Sequence, residues 1–127
     1  MKILIVDDSL LERKLLSGVL KKSGIDIEKQ VLQAVDGEEA IALLGNNYQD
    51  ICLILLDWQM PKMNGLEFMK AVVKVSAVSQ IPIVMVTASG SEENKREARE
   101  VNPQLAGYVV KPYKAETLLE TIKPFIK

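Results

Sequence analysis

The stretch Ile51-Cys-Leu-Ile-Leu-Leu-Asp57-Trp-Gln-Met-Pro61 is an apolar run that ends abruptly on a carboxylate. Six consecutive apolar residues are too few to span a membrane, and they lack the alternation of a strand with one solvent-facing side. The run therefore predicts a central strand that is buried on both faces. Asp57 follows the carboxyl end of that strand, which is the edge where open parallel sheets bind ligands.

Short β-branched runs alternate with segments of helical periodicity along the whole chain. The predicted strands cover residues 2–6, 30–35, 51–56, 81–86 and 107–110. This alternation is typical of an α/β fold, in which right-handed crossovers place helices on both faces of a five-stranded parallel sheet. Because the chain has 127 residues and 48% apolar content, we expect one domain over residues 1–127.

Polar residues before the apolar segments predict where the first three helices begin. Ser9 and Glu12 have the spacing of a capping box, and Gly24 is expected to close that helix. Asp36 and Asn64 are expected to begin the second and third helices. The residues expected to be buried are Leu15, Leu16, Val19 and Leu20 in the first helix, Ala40, Ile41 and Leu44 in the second, and Leu66, Met69, Val72 and Val73 in the third.

The fourth helical segment, from Ser91 onward, is nearly all polar. It can bury only Ala98, Val101 and part of one long side chain, so we expect it to be loosely held. The fifth segment, residues 114–122, has one apolar side and should end or kink at Pro124.

Composition excludes several classes of function. The formal net charge is -1, and without a basic face the chain is not expected to bind nucleic acid directly. The chain has no histidine, which removes Ser/His and Cys/His nucleophile pairs and argues against a zinc site. Cys52, the single cysteine, lies inside the apolar run, and the amino terminus breaks on Asp7 after four apolar residues. We therefore expect a cytoplasmic protein without membrane insertion.

Five polar residues follow the ends of four predicted strands: Asp7 and Asp8, Asp57, Thr87, and Lys111. Each one alone has an ordinary explanation as a helix cap, a turn residue or a solvated charge. Together they are harder to dismiss, because parallel strands share one carboxyl edge. Three carboxylates a few ångströms apart repel by about 1 kcal/mol per pair even in water. A cation must compensate that repulsion.

Lys111 can neutralise one of the carboxylates, and a hard divalent ion can neutralise the others. Because the available ligands are oxygens, Mg²⁺ or Mn²⁺ is the expected ion. Such a site is suited to a phosphoryl group, with Lys111 as a second cation and the Thr87 hydroxyl as a hydrogen-bond donor. Asp57, at the end of the central strand, is the candidate nucleophile, and its product would be an aspartyl phosphate.

These residues resemble the receiver domain of two-component response regulators over the whole chain. The single-domain chemotaxis regulators are the most similar members. The motifs that carry the resemblance are Asp7-Asp8, Ala34-Val-Asp-Gly37, Asp57-Trp-Gln-Met-Pro61 with Gly65, Thr87-Ala88, and Gly107-Tyr-Val-Val-Lys-Pro112.

The resemblance implies a flavodoxin-like, doubly wound sheet with strand order 2-1-3-4-5. It implies Mg²⁺-dependent phosphotransfer from a histidine kinase to Asp57, with no enzymatic activity beyond the domain's own phosphorylation and dephosphorylation. By the same resemblance, Asp8, Asp57 and the backbone carbonyl of Gln59 hold the metal, and Asp7 acts mainly through water. Lys111 and Thr87 contact the phosphoryl group. Gln59 and Ser89 occupy variable positions that tune how long the phosphate survives.

Phosphorylation is expected to draw Thr87 inward, which leaves space that the ring of Tyr108 can enter. The resemblance identifies Tyr108 as an aromatic switch. The weakly anchored helix from Ser91 lies next to both residues. We therefore expect the face formed by the fourth predicted helix, the fifth strand and the fifth predicted helix to bind the downstream target.

Three other functions share part of this pattern. A haloacid dehalogenase-type phosphohydrolase needs a second aspartate two residues after the nucleophile, where this chain has Gln59. A flavin-binding electron carrier needs a phosphate loop after the first strand, where Asp7 and Asp8 would repel a phosphate. An adaptor that is never phosphorylated would not need the complete acidic set.

Overall fold

The computed structural model describes residues 1–126, so Lys127, the last residue of the predicted domain, lies outside the described residues. Five parallel strands form one sheet in the order β2-β1-β3-β4-β5. This order confirms the predicted flavodoxin-like topology. The strands are β1 Lys2–Val6, β2 Val31–Ala34, β3 Ile51–Leu56, β4 Ile83–Thr87 and β5 Gly107–Val110.

Six α-helices and one 3₁₀ turn connect or follow the strands. They are α1 Leu10–Lys22, α2 Ile27–Gln30, α3 Gly37–Asn47, α4 Gly65–Val72, α5 Glu92–Val101, α6 Ala115–Ile122 and the 3₁₀ turn Lys123–Phe125. The short helix α2 was not predicted, so the fourth and fifth predicted helices correspond to α5 and α6. Within residues 1–126, no helix has the length and apolar character needed to cross a lipid bilayer.

Alternate residues of β3 contribute to two separate apolar cores, one on each face of the sheet. Ile54 and Leu56 lie in the core that is covered by α3, α4 and α5, whereas Leu53 and Leu55 lie in the core that is covered by α1 and α6. Helices on both faces explain why this strand is apolar at every position. The prediction of a central, doubly buried strand is confirmed.

Backbone hydrogen bonds beyond the strand ends keep the carboxyl edge of the sheet in register. The amide of Asp57 donates to the carbonyl of Val6 at 2.9 Å, and the amide of Lys111 donates to the carbonyl of Thr87 at 2.9 Å. These bonds extend the pairing of neighbouring parallel strands by one residue. The side chains that follow the strands therefore begin at nearly the same height.

Two predicted strands have different boundaries. Strand β2 begins at Val31 and not at residue 30, because Gln30 belongs to α2. Asp26 caps that helix and accepts a hydrogen bond from the amide of Lys29. Strand β4 runs from Ile83 to Thr87 and not from 81 to 86. Ile81 instead donates its amide to the carbonyl of Val78 in a preceding turn, and the first residue of β4 that pairs with β3 is Ile83.

Two residues predicted to be buried are exposed. Leu15 in α1 is 51% exposed and Ile41 in α3 is 38% exposed. Helix α1 buries Leu16 and Leu20, which are four residues apart and share one narrow face. Position 15 points away from that face, so the prediction of a wider apolar stripe was wrong there.

Helix α5 agrees with the sequence expectation of weak anchoring. Ala98 is its one fully buried residue, and Val101 is partly buried. The stem of Lys95 also contributes, because its side chain is only 28% exposed. Since little apolar surface holds this helix to the sheet, its displacement is expected to cost little free energy.

Candidate functional site

Three carboxylates from two strand ends converge at the carboxyl edge of the sheet. One oxygen from each of Asp7, Asp8 and Asp57 lies within 4.8 Å of the other two. Asp7 is 1% exposed and Asp57 is 9% exposed, while Asp8 lies at the surface. The structure therefore brings together the acids that the sequence placed at one edge.

Lys111 reaches across the edge from the end of β5 to the acids. Its Nζ atom lies 2.7 Å from Asp7 Oδ2 and 3.6 Å from Asp57 Oδ2. The shorter contact is a charge-assisted hydrogen bond, whereas the longer one is an ion pair without a hydrogen bond. The ammonium is therefore bound to Asp7 and stands beside Asp57.

The two oxygens of Asp7 both have partners. Oδ1 accepts a hydrogen bond from the backbone amide of Ser9 at 2.9 Å, and Oδ2 accepts from Lys111. The Arg13 guanidinium also donates to the backbone carbonyl of Asp7 at 2.7 Å. A carboxylate held from two sides is less free to coordinate an ion directly. This geometry favours an indirect role for Asp7.

Asp57 is held in place by its neighbours along the chain. Its Oδ1 atom accepts a hydrogen bond from the amide of Trp58 at 2.8 Å. Burial raises the pKa of the Asp57 carboxyl above its ordinary value, and the charge of Asp7 adds to the rise. The Thr87 hydroxyl, the Lys111 ammonium and the Trp58 amide each act to lower that pKa without cancelling the rise.

The acidic neighbours of Lys111 shift its pKa in the opposite direction from burial. Burial alone lowers the pKa of this lysine, but the hydrogen bond with Asp7 outweighs it, together with the charges of Asp57, Asp7 and Glu12. The net pKa of Lys111 is raised above its ordinary value. The ammonium is therefore fully charged at neutral pH, as a partner for several carboxylates must be.

The loop after β3 lines the open side of the site. Asp8, Trp58 and Gln59 share a cleft of about 600 Å³, together with Met60, Pro61 and Asn64. The Gln59 side chain is exposed, and Trp58 forms part of the cleft wall. Of the three acids of the cluster, Asp8 is the one that lines this cleft.

Gly65 explains why the loop can return so closely to the strand end. Its amide donates to the carbonyl of Trp58 at 2.8 Å, and a Cβ atom at this position would collide with the carbonyl oxygen of Asp57. Only glycine fits this approach. The sequence identified Gly65 as part of a motif, but the steric reason is visible only in three dimensions.

Thr87 and Tyr108 are connected through the loop between β4 and α5. Thr87 is buried, and its Oγ1 atom accepts from the amide of Ser89 at 3.2 Å. The half-buried Tyr108 donates its hydroxyl to the carbonyl of the same Ser89. Lys95 of α5 lies 6.0 Å from the centre of the Tyr108 ring. The predicted switch residue is thus linked to Thr87, β5 and α5.

Glu12 is a site neighbour that the sequence reasoning missed. Its Oε1 atom lies 3.3 Å from Lys111 Nζ, so the lysine has three carboxylate neighbours. The sequence prediction treated Glu12 as the second half of a capping box with Ser9. The available signal was the position of this acid on the first helical turn after Asp7 and Asp8.

Comparison with known families matches residues 3–123 to the response regulator receiver domain. The chain belongs to this family. The matched range includes the four strand ends that carry the acidic edge, the threonine and the lysine. The phosphohydrolase alternative is not supported.

Curated relatives of this receiver domain are chemotaxis proteins. A chemotaxis protein CheY homolog of Campylobacter jejuni is 37% identical over 123 residues, which cover 97% of this chain and 90% of the relative. Chemotaxis protein CheY1 of Helicobacter pylori is 35% identical, with 97% and 94% of the two chains covered. The receiver domain is therefore of the CheY type.

Solved structures show the same fold. CheY4 of Vibrio cholerae matches with a TM-score of 0.84 and 38% identity, covering 98% of both chains. CheY in the CheX-CheY-BeF3-Mg complex of Borrelia burgdorferi matches with a TM-score of 0.86 and 27% identity, covering 100% of this chain and 90% of that one. The CheY-like fold and a place in two-component chemotaxis signalling follow for the receiver domain.

These comparisons also establish the general character of the receiver domain. CheY-type receivers are signalling proteins and not classical enzymes, and they interact with kinases and downstream targets. Receiver domains bind Mg²⁺ through an acidic pocket, and the cluster of Asp7, Asp8 and Asp57 is compatible with that ion.

Proposed function

We propose that Asp57 accepts a phosphoryl group from a phosphohistidine of a histidine kinase. The observation that supports this proposal is the geometry of the strand ends. Three acid oxygens lie within 4.8 Å of one another, and Lys111 Nζ lies 3.6 Å from Asp57 Oδ2. An acidic cluster without a cation would be unfavourable because its charges repel. A bound cation compensates that repulsion and also stabilises a transferred phosphoryl group. Residues 1–127 act as a single receiver domain in this proposal.

The residues present fit a divalent metal ion. Asp8 is exposed to the cleft and Asp57 faces the same cluster, so both can supply an oxygen. The backbone carbonyl of Gln59 would supply a third ligand, and Asp7, both of whose oxygens are engaged, would act through water. Oxygen ligands without histidine or thiolate select Mg²⁺, with Mn²⁺ as a substitute. The bound ion supplies charge neutralisation for the phosphoryl oxygens.

In the transfer itself, a carboxylate oxygen of Asp57 attacks phosphorus. The new O–P bond forms as the P–N bond to the donor imidazole breaks, and the imidazole leaves with the electron pair. Lys111 compensates the charge that Asp57 and the incoming group share, and the Thr87 hydroxyl donates to a phosphoryl oxygen. Asp57 gives up its ion pair with Lys111 to the phosphoryl group. In this proposal the domain catalyses only its own phosphorylation and dephosphorylation.

Loss of the signal proceeds by attack of water on phosphorus, which restores the Asp57 carboxylate and releases phosphate. Gln59 and Ser89 flank the site on the two loops, so their side chains influence how readily water approaches. The lifetime of the phosphate is set at these two positions. A cytoplasmic location is part of the proposal, because a single free cysteine, Cys52, fits a reducing compartment.

The output of the site is a change in the face formed by α5, β5 and α6, which binds the downstream protein target. Phosphorylation draws Thr87 toward the phosphoryl oxygens, and the Ser89 carbonyl links that movement to Tyr108. Because α5 is weakly anchored, a small change in the loop can move it. The link from Thr87 to Tyr108 is the structural support for this face.

Acetyl phosphate and Mg²⁺ test the phosphoacceptor directly. Intact-mass measurement should show one added phosphoryl group on the wild-type chain, and Asp57→Asn should not show it. Asp50→Asn is the matched control, because Asp50 is exposed at the opposite end of the same strand. Phosphorylation of the Asp57→Asn variant, or equal loss in both variants, would refute the assignment.

Amide chemical shifts with and without BeF₃⁻ and Mg²⁺ test the output face. The expected changes extend from the loop after Thr87 into α5 and β5, and they spare α3, which packs at the opposite, β2 end of the same face of the sheet. Shifts that stay confined to the acidic edge would contradict the proposed switch.

A further inference from the structure

Glu12 does not complete the capping box that its sequence position predicts. The Ser9 hydroxyl accepts from the Glu12 amide at 3.2 Å, but the Ser9 amide donates to Asp7 Oδ1 and leaves the Glu12 carboxylate free to turn away. At the start of α4, by contrast, Asn64 and Glu67 form both halves of the box. The Glu12 carboxylate has therefore exchanged a capping contact for a different partner.

That partner is Lys111. The Nζ atom of Lys111 lies 2.7 Å from Asp7, 3.3 Å from Glu12 and 3.6 Å from Asp57. The ammonium is thus nearer to both supporting acids than to the residue it serves. Lys111 is 14% exposed and Glu12 is 26% exposed, and both line a cleft of about 420 Å³ between α1 and the segment after β5.

The contact between Glu12 and Lys111 has opposite consequences for a divalent cation and for a phosphoryl group. Glu12 adds a negative charge beside a site that already holds three carboxylates. By Coulomb's law this charge attracts a divalent cation and repels a phosphoryl group. It also competes directly with a phosphoryl oxygen for the donors of Lys111, since one ammonium has only three N–H groups.

We propose that Glu12 is a positioning residue that holds Lys111 away from Asp57 and thereby sets the balance between phosphoryl and metal affinity. The proposal rests on the phosphoacceptor function of Asp57. Glu12 acts through Lys111 and touches neither the metal nor the phosphoryl group. It makes the site bind the cation more readily and retain the anionic group less tightly than the strand-end residues alone would.

The test compares Glu12→Gln with Glu38→Gln. Glu38 is an exposed acid on the first turn of α3, so its replacement removes the same charge from a first helical turn without touching Lys111. Fluorescence of Trp58, the single tryptophan and a wall of the cleft, reports Mg²⁺ binding. The same signal, at saturating Mg²⁺, reports the apparent affinity for BeF₃⁻, and intact mass reports phosphorylation by acetyl phosphate.

Glu12→Gln should weaken Mg²⁺ binding and strengthen BeF₃⁻ binding, each by about two- to five-fold, the range of a partly exposed ion pair. Glu38→Gln should change neither by as much. Thermal unfolding shows whether each variant is folded.

A loss of both affinities in Glu12→Gln would mean a merely structural role and would overturn the proposal. Equal behaviour of the two variants would overturn it as well. A wild-type chain that takes up neither a phosphoryl group nor BeF₃⁻ would refute the phosphoacceptor function itself, and the role of Glu12 with it.

Discussion

The Tyr108 hydroxyl donates a hydrogen bond to the backbone carbonyl of Ser89, two residues beyond Thr87. This bond joins the start of β5 to the loop that carries the buried hydroxyl of Thr87. A ring fixed at one end by its strand and at the other by this loop must respond when the loop moves. The position of the Tyr108 ring is therefore expected to depend on the position of the loop that follows Thr87.

The Tyr108→Phe variant keeps the ring and removes only that hydrogen bond. Stability should fall by about 0.5–1.5 kcal/mol, and hydrogen exchange in residues 88–91 should become faster. Phosphorylation by acetyl phosphate should change by less than about two-fold, since the hydroxyl lies outside the acidic cluster. Tyr48→Phe, at an exposed tyrosine after α3, is the control. Unchanged exchange in the loop would argue against the coupling.

Replacing Gly65 should disturb both the loop and the strand end. In Gly65→Ala the new Cβ atom collides with the Asp57 carbonyl oxygen and lies 3.0 Å from the Trp58 Cα, so urea unfolding should show a loss of about 1–3 kcal/mol.

Gly45→Ala in the exposed part of α3 is the matched control. Nothing lies within 4 Å of its added Cβ. Alanine should stabilise this helix by about 0.5–1 kcal/mol. Equal effects at the two glycines would contradict the steric reason given for Gly65.

The raised pKa of Asp57 predicts how stability depends on pH. The folded state binds the Asp57 proton more tightly than the unfolded state, whose pKa is near 3.8. The contribution of Asp57 to stability is therefore fully present below that value and is lost as pH rises through the higher folded pKa. Asp57→Asn should be more stable than wild type at pH 7 in metal-free buffer, and the difference should shrink as pH falls toward 4. Urea unfolding across this range, with Asp50→Asn as control, measures it. A constant difference at all pH values would contradict the shift.

Lys111 contributes to stability with a pH dependence of the same sign as Asp57, but at higher pH. Its pKa is raised in the folded state, so its stabilising contribution is present below the ordinary lysine pKa of 10.5 and is lost as pH rises through the folded value. Lys111→Met should cost about 1.5–3 kcal/mol at pH 8, the range for hydrogen bonds to charged groups. The deficit should shrink above pH 10.5. Lys114→Met, at an exposed lysine, is the matched control.

Binding of Mg²⁺ should stabilise the folded chain by mass action. At a concentration ten times its dissociation constant, the ion should add about 1.4 kcal/mol to the free energy of unfolding. Asp8→Asn should remove most of this gain without unfolding the chain, because Asp8 is exposed. Thermal melts in MgCl₂ and in NaCl of equal ionic strength measure it. An equal gain in both salts would indicate screening and not a site.

Much of the acidic edge could be predicted because it depends on local pattern and topology alone. An apolar run that stops on Asp57 marks a strand end, and parallel strands have their carboxyl ends at one edge. The same reasoning placed Asp7, Thr87 and Lys111 correctly. The prediction of buried helix residues from apolar spacing failed at Leu15 and Ile41. The width of a buried helix face depends on how closely the helix packs against the sheet.

The order of apolar and polar residues in the sequence by itself determined the doubly wound sheet and the identity of the residues at its edge. Only the tertiary structure decided how those residues share their contacts. Lys111 binds Asp7 at 2.7 Å and leaves Asp57 at 3.6 Å, and Glu12 turns from its own helix toward the same ammonium. The physical reason is that a charged side chain selects among all partners within a few ångströms, and those partners come from segments as far apart as residues 7 and 111.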